Sequence, residues 1–265
     1  MEVLAERYAC ILLDLDGTLY LGEEPLPHAA DAVARLRDMG RSVVFMTNNS
    51  AKTRADVADK LRGLGFAAGV EEVVTSASVT ASMLADRGTR SAFVVGGRGI
   101  REALVEVGID VLTGEPRGAD CVVIGLDTEV DYPKLRTACL LVEKGAALVG
   151  TNRDAAFPTP GGSWPGAGAL LAAVVTTTGA VAEVVGKPEA PIFRAALELA
   201  GGGVPLVVGD RLDTDIEGAS RLGWDSLLVL TGIENRGSLD VATVKPTFVG
   251  EGLSVLFRDA PHAAG

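Results

Sequence analysis

Short apolar runs alternate along this chain with stretches of helical spacing, and several of the runs end in polar residues. Tyr8 to Leu13 (YACILL) is the first such run. It lacks the alternation of a half-exposed strand, so it reads as a strand buried on both faces. From Pro27 to Met39 the apolar residues Ala30, Val33, Ala34 and Leu36 fall at helical spacing, and Gly40 stops the helix. Ser42–Met46 is a second strand, Thr53–Leu64 a helix closed by Gly65, Val73-Val74 a short strand, and Ser78 to Asp86 a helix. Such alternation predicts an α/β fold: a doubly wound parallel sheet with helices on both faces.

A second strand–helix series follows in Ala92–Val95, Ile100–Val107, Cys121–Ile124, Tyr132–Glu143 and Ala147–Val149. Its strand ends carry few polar residues. A Gly/Pro-rich loop from Thr151 to Gly168 leads to a helix from Ala169 to Thr177. The first style returns with the strand Val181–Val185, a helix from Pro191 to Ala200, the strand Leu206–Val208, a helix from Thr214 to Leu222 and the strand Ser226–Leu230. Thr247–Val249 and Leu253–Phe257 add a last strand and a short helix.

Polar residues that invite chemistry follow four of these strands: Asp14 and Asp16, Thr47 and Asn48, Lys187, and Asp210. In an open parallel sheet, ligands bind outside the carboxyl ends of the strands, so residues remote in sequence converge there. Two carboxylates two residues apart are costly at a strand's end unless compensated, and they offer the hard oxygen ligands that Mg²⁺ prefers. The assortment suits phosphoryl transfer: a carboxylate nucleophile, a second carboxylate, a hydroxyl and amides for phosphate oxygens, and a lysine.

Composition narrows the choice of partner. Among 265 residues, 48% are hydrophobic and the formal net charge is −11, which points to a packed globular protein and away from nucleic acid. Cys10, Cys121 and Cys139 have no C-x-x-C spacing and read as buried thiols. The longest uncharged stretch, Ala155–Ala182, is broken by Pro158, Pro160 and Pro165, which leaves less than the ~20 apolar residues of a spanning helix. The expectation is therefore a cytoplasmic protein without a membrane partner. Gly97-Arg-Gly99 lacks the third glycine of a dinucleotide fingerprint, because Glu102 stands there. The only histidines, His28 and His262, suggest neither a triad nor a zinc site.

Four motifs, Asp14-Leu-Asp16-Gly17-Thr18, Thr47-Asn48-Asn49, Gly186-Lys187-Pro188 and Gly209-Asp210-Arg-Leu-Asp213-Thr-Asp215, resemble in identity and order those of the haloacid dehalogenase (HAD) superfamily. The insertion between the second and third is similar to the large type-II α/β cap of the branch that includes phosphoglycolate and 4-nitrophenylphosphate phosphatases. The loop Thr151-Asn-Arg153-Asp154…Phe157-Pro…Gly166-Ala-Gly168 resembles that cap's characteristic segment.

This resemblance implies a HAD core formed by residues 1–79 and 181–265, with a smaller α/β cap inserted at 80–180 that closes over the site and sets specificity. It implies Asp14 as nucleophile and Asp16 as general acid/base. Mg²⁺ would be held by the Asp14 and Asp210 side chains and the Asp16 carbonyl, with Asp215 outside it on the metal or on Lys187. Thr47, Asn48 and Asn49 would grip the phosphoryl group, Lys187 would offset charge there, and Arg153 would contact substrate. An aspartate at position 16 points to phosphate esters rather than carbon–halogen chemistry. The implied activity is a Mg²⁺-dependent phosphatase for small phosphorylated metabolites. A phosphotransferase or mutase using the same aspartyl-phosphate is the alternative, and a non-catalytic phosphometabolite-binding protein a more distant one. The resemblance also admits a homodimer. Asp213 is expected to pair with Arg211 or cap the next helix, and Trp164 to pack within the cap rather than touch substrate.

Overall fold

The computed structural model describes residues 3–159 and 161–258, so His262 lies outside the described residues. After a 3-10 turn (Leu4–Arg7) come β1 (Cys10–Leu13) and a small hairpin of β2 (Tyr20–Leu21) and β3 (Glu24–Pro25). The chain continues through α1 (Ala29–Asp38), β4 (Ser42–Thr47), α2 (Arg54–Gly63), β5 (Val73–Thr75), α3 (Ser76–Asp86), β6 (Ser91–Val95), α4 (Arg98–Glu106) and β7 (Asp110–Leu112). Next are β8 (Cys121–Ile124), α5 (Tyr132–Glu143), β9 (Ala147–Gly150), the hairpin β10 (Ala156–Thr159) and β11 (Gly162–Pro165), α6 (Ala167–Thr178) and β12 (Glu183–Val184). The last part holds α7 (Ala190–Leu199), β13 (Pro205–Gly209), a π-turn (Leu212–Ile216) running into α8 (Glu217–Leu222), β14 (Asp225–Val229), α9 (Arg236–Val241), β15 (Phe248–Gly250) and a 3-10 turn (Leu253–Phe257).

These elements form two compact units. The first contains the chain up to Thr47, Asp56–Val74 and the chain from Lys187 onward. Its sheet has the order β15-β14-β13-β1-β4-β5, parallel from β15 to β4. The central strand β1 pairs Leu13 with Val208 on one side and Phe45 on the other. Strand order reverses beside β1, since β4 and β5 extend one way and β13, β14 and β15 the other; this is the switch point at which such sheets bind ligands. All four residues of β1 are buried, as its unbroken apolar run requires. Ile11, Leu13 and Phe45 share a core with Val33 and Leu36 of α1, Leu61 of α2, and Leu206 and Val208 of β13. Against β1 and β4 also lies α7, which buries Ile192, Phe193 and Ala196.

The second unit contains Asn48–Ala55 and Thr75–Gly186. It is built on a five-stranded parallel sheet of order β12-β9-β8-β6-β7. Phe93, Val122, Ile124 and Leu148 of that sheet pack with Leu141 of α5 and Leu171 and Val174 of α6. The segment after β4 is bound into this unit: Ser50 Oγ accepts from the Leu126 amide at 3.1 Å and from Thr151 Oγ1 at 3.0 Å. Gly99 donates its amide to Ala51 O at 2.9 Å, and a Cβ there would lie 2.2 Å from Lys52 O. The glycine of the incomplete dinucleotide pattern thus serves close backbone packing.

Four features depart from the sequence reading. Residues 181–185 were expected as a core strand, but only Glu183–Val184 is extended, and it pairs with β9 of the second sheet. The units divide after residues 47, 55, 74 and 186, where the family resemblance implies divisions after 79 and 180. The loop expected at 151–168 contains the β10–β11 hairpin, with Ala156 opposite Pro165 and Phe157 opposite Trp164. Prolines are tolerated on such exposed ladders, where no further strand needs their missing N–H. Trp164 is 52% exposed rather than packed.

Candidate active site

Asp14 follows β1 directly, and its amide donates to Val208 O at 2.9 Å, so the sheet ladder fixes its backbone. Its buried carboxylate accepts a hydrogen bond from Lys187 Nζ, which also donates to Asp215 Oδ1 at 2.7 Å. Lys187 is 3% exposed and Asp215 fully buried. Asp210 lies at the end of β13, the strand beside β1, and is also buried. One oxygen from each of Asp14, Asp210 and Asp215 falls within 4.8 Å of the others. Residues far apart in sequence thus converge where the sheet reverses.

Such proximity is electrostatically expensive. Two like charges about 5 Å apart repel by roughly 3 kcal/mol at an effective dielectric near 20. Burial, followed by the charges of Asp215 and Asp210, pushes the Asp14 carboxyl up to about 8, although Lys187 opposes the shift. Burial and Asp215 hold Asp210 up at about 6. Burial alone would lower the Lys187 ammonium, but Asp14 and Asp215 outweigh it and keep the group protonated. Were all three carboxylates ionised, the one ammonium would leave two negative charges, which a divalent cation would cancel.

A second observation fits a cation. Asp210 Oδ2 accepts from the Ile233 amide at 2.8 Å, whereas Asp210 Oδ1 is buried without a partner. Among the described residues the only other such side-chain atom is Thr18 Oγ1, in the first motif. A buried carboxylate oxygen left unpaired is strongly unfavourable unless an ion completes it. The donor set is all oxygen, as Mg²⁺ requires. We expect Mg²⁺ to raise the melting temperature, and to raise it more near pH 8 than near pH 5.5. Both carboxyl pKa values are elevated in the fold, so metal-free stability contributed by their protonated forms is lost as pH rises through about 6 and about 8. Thermal melts with Mg²⁺ or chelator at the two pH values test this; an equal increment counts against the cluster as the metal site.

Glycines allow the close approach. Gly17 has φ +82°, and a Cβ there would lie 2.3 Å from Asp210 Oδ2. A Cβ on Gly209 would meet the Asp215 carboxylate at 2.2 Å. Sequence reasoning passed over one contributor: the turn after β14, in which Thr231 Oγ1 donates to Gly17 O at 2.6 Å and Ile233 holds Asp210. Its signal was the Leu230-Thr231-Gly232 sequence at a fifth strand end, which carries no charge. A Cβ on Gly232 would sit 2.0 Å from Asp210 Oδ2. Gly232→Ala is therefore expected to raise the Mg²⁺ concentration for half-maximal activity by about tenfold, the equivalent of ~1.4 kcal/mol. An unchanged Mg²⁺ titration would refute the assignment.

Asp16 is exposed beyond the end of β1, and its carboxyl is not part of the buried cluster. Partial desolvation raises its pKa, opposed by the charge of Lys60 and the amide of Gly22. Thr47 ends β4 and is half-buried. Asn48 and Asn49 belong to the second unit. The Asn48 carbonyl accepts from Ser76 Oγ and Asn152 Nδ2, both at 2.7 Å, and its side chain donates to Asp154 Oδ2 at 3.2 Å. Asn49 Oδ1 accepts from the Ala51 amide at 2.9 Å, closing a turn. Arg153 is exposed on the second unit, and its carbonyl lies where a Cβ on Gly168 would come within 2.2 Å. Asp213 pairs with Arg211 at 2.8 Å, one of the two roles expected for it.

A lysine-paired aspartate at the switch point of a doubly wound sheet, with two more carboxylates beside it, is equipment for metal-assisted phosphoryl chemistry. Comparison with known proteins agrees. A model described as haloacid dehalogenase-like hydrolase matches residues 11–110, and a second, HAD-hydrolase-like, matches 184–256. The 5'-nucleotidase YutF of Bacillus subtilis is 38% identical over 252 residues, which cover 94% of this chain and 97% of that protein. The acid sugar phosphatase of Staphylococcus haemolyticus is 38% identical over 257 residues, covering 96% and 97%. The crystal structure of the glycerol phosphate phosphatase Rv1692 from Mycobacterium tuberculosis in complex with magnesium superposes with a TM-score of 0.92 at 36% identity, over 98% of this chain and 79% of that one. The chain belongs to the haloacid dehalogenase-like hydrolases. Among its described residues, no helix is long and apolar enough to cross a membrane.

Proposed function

We propose that this chain hydrolyses small-molecule phosphate monoesters through an aspartyl-phosphate formed on Asp14. It is a HAD-family phosphatase, a phosphoric monoester hydrolase that uses Mg²⁺. The observation that carries the mechanism is the buried Asp14–Lys187–Asp215 ion-pair chain beside Asp210 and its unpartnered oxygen.

In this reading an Asp14 carboxylate oxygen attacks phosphorus while the bond from phosphorus to the ester oxygen breaks. Asp16 gives its proton to that leaving oxygen. Water then attacks phosphorus, Asp16 takes the water's proton, and the Asp14–phosphorus bond breaks to release phosphate and restore the carboxylate. Lys187 favours the ionised form of Asp14 and orients it, and Asp215 fixes Lys187 from its other side. The Asp14 and Asp210 side chains and the Asp16 carbonyl would hold Mg²⁺, with Asp215 outside them. When bound, the metal supplies positive charge for the transferring phosphoryl oxygens. Thr47 and the Asn48 amide grip those oxygens, with Asn49 shaping the turn behind them.

The second unit takes the role of the specificity cap, and the exposed Arg153 is its candidate substrate contact. Relatives named for nucleotide, sugar and glycerol phosphates define the ester classes to test. The decisive experiment is a phosphate-release screen over those classes, with Mg²⁺ and with chelator. Release is expected only with Mg²⁺; release that survives chelation would sink the mechanism. Transfer of phosphate to an added alcohol in place of water would favour the phosphotransferase alternative.

A further inference from the structure

The Asp16 carboxyl stands apart from the buried cluster, and the reaction needs it held in one place. The chain just after it supplies a support. Gly17 donates its amide to Tyr20 O at 2.8 Å, and Asp16 itself bridges to Tyr20, the first residue of β2. The Leu26 amide closes the base of the β2–β3 hairpin on Leu19 O at 2.9 Å. Two-residue strands make a hairpin too small to be stable alone, so its far end needs an outside anchor.

Lys60 of α2 is that anchor. Its Nζ donates to Gly22 O at 2.7 Å, at the tip of the hairpin, where Gly22 takes φ +58°. The same ammonium lies 4.3 Å from the centroid of the buried Tyr20 ring. It also meets Glu23 Oε1 at 3.1 Å, but the Glu23 side chain is 87% exposed and such a pair contributes little. The carbonyl and ring contacts are the ones that fix position. A single ammonium thus clamps both ends of β2, the strand bridged to Asp16.

We propose that Lys60 is a positioning residue for Asp16: it holds the hairpin of residues 20–25 so that the Asp16 carboxyl is presented to the leaving-group oxygen. The inference rests on the reading of Asp16 as general acid. It assigns Lys60 a bearing on which esters are cleaved, because only poor leaving groups need a proton as they depart. Alkoxides from sugar or polyol phosphates need it; 2,4-dinitrophenolate does not.

The test compares kcat/KM for an alkyl phosphate and for 2,4-dinitrophenyl phosphate in wild type, Lys60→Met, Lys60→Arg and Asp16→Ala, with thermal melts of each. Lys60→Met is expected to lose about tenfold on the alkyl ester and less than about twofold on the activated ester, a part of the roughly 10²–10⁴-fold that a general acid contributes. Lys60→Arg, which keeps a cation for the carbonyl and the ring, is expected to recover most of the loss. Asp16→Ala is expected to show the same selectivity in larger degree. Equal losses on both esters in Lys60→Met, with or without a lower melting temperature, would overturn the proposal and leave Lys60 a purely structural residue. Selectivity in Asp16→Ala but not in Lys60→Met would overturn it while sparing the mechanism. No selectivity in Asp16→Ala would remove the general-acid reading on which it stands.

Discussion

Asp14→Asn is expected to abolish turnover, lowering kcat by on the order of 10⁴-fold or more, without unfolding the protein. The amide keeps the shape of the carboxylate but cannot form or cleave the phosphoryl bond, and loss of a nucleophile typically removes most of an enzyme's advantage. Stability should move the other way. Ionised Asp14 is opposed by burial and by two neighbouring carboxylates. Neutralising it relieves that crowding while Lys187 keeps Asp215 as a partner. The metal-free melting temperature of the variant is therefore expected to equal or exceed that of wild type, and the increment on adding Mg²⁺ to shrink. Phosphate release and melting curves measured together check both halves. Substantial residual release would remove Asp14 from the nucleophile's role.

Lys187→Met is expected to damage both activity and fold. Its ammonium is the shared partner of two buried carboxylates, and Asp210 lies in the same cluster. Removing one member of a buried ion pair leaves uncompensated charge and costs about 3–5 kcal/mol. The metal-free protein should therefore melt well below wild type, with Mg²⁺ restoring part of the difference by offsetting the stranded carboxylates. Activity should stay low even when Mg²⁺ restores the fold, since Asp14 has lost the group that orients it. A variant with wild-type stability and rate would show that the lysine is incidental.

Most of this site was legible in the sequence because its residues sit at the ends of strands that had to be read as buried. β1 is a short unbroken apolar run, β4, β13 and β14 have apolar centres, and Asp14, Thr47 and Asp210 mark where three of them stop. What escaped was decided by tertiary context. Strands of two residues, as in the β2–β3 hairpin and β12, carry no periodicity to detect. The β10–β11 hairpin hides in a Pro- and Gly-rich stretch whose composition reads as loop. Thr231, Gly232 and Lys60 act through a hydroxyl, a missing Cβ and a side chain on a helix face, none of which forms a motif. The side chains of Asn48 and Asn49 engage their own unit, through Asp154 and through the Ala51 amide.

The chain passes between the two units four times, because residues 48–55 are contributed to the second unit separately from 75–186. The second unit is therefore not a single removable cassette. A chimera spliced at residues 80 and 180 would separate β12 from β9 and take the Ser50 hydroxyl away from Leu126 and Thr151. Each buried polar group so orphaned costs about 1–3 kcal/mol. Recombination between relatives that keeps the fold must carry both pieces, and Asn48 and Asn49 with them. Part of the loop proposed to hold the phosphoryl group is thus inherited with the unit proposed to choose the substrate, so an exchange of one carries the other with it.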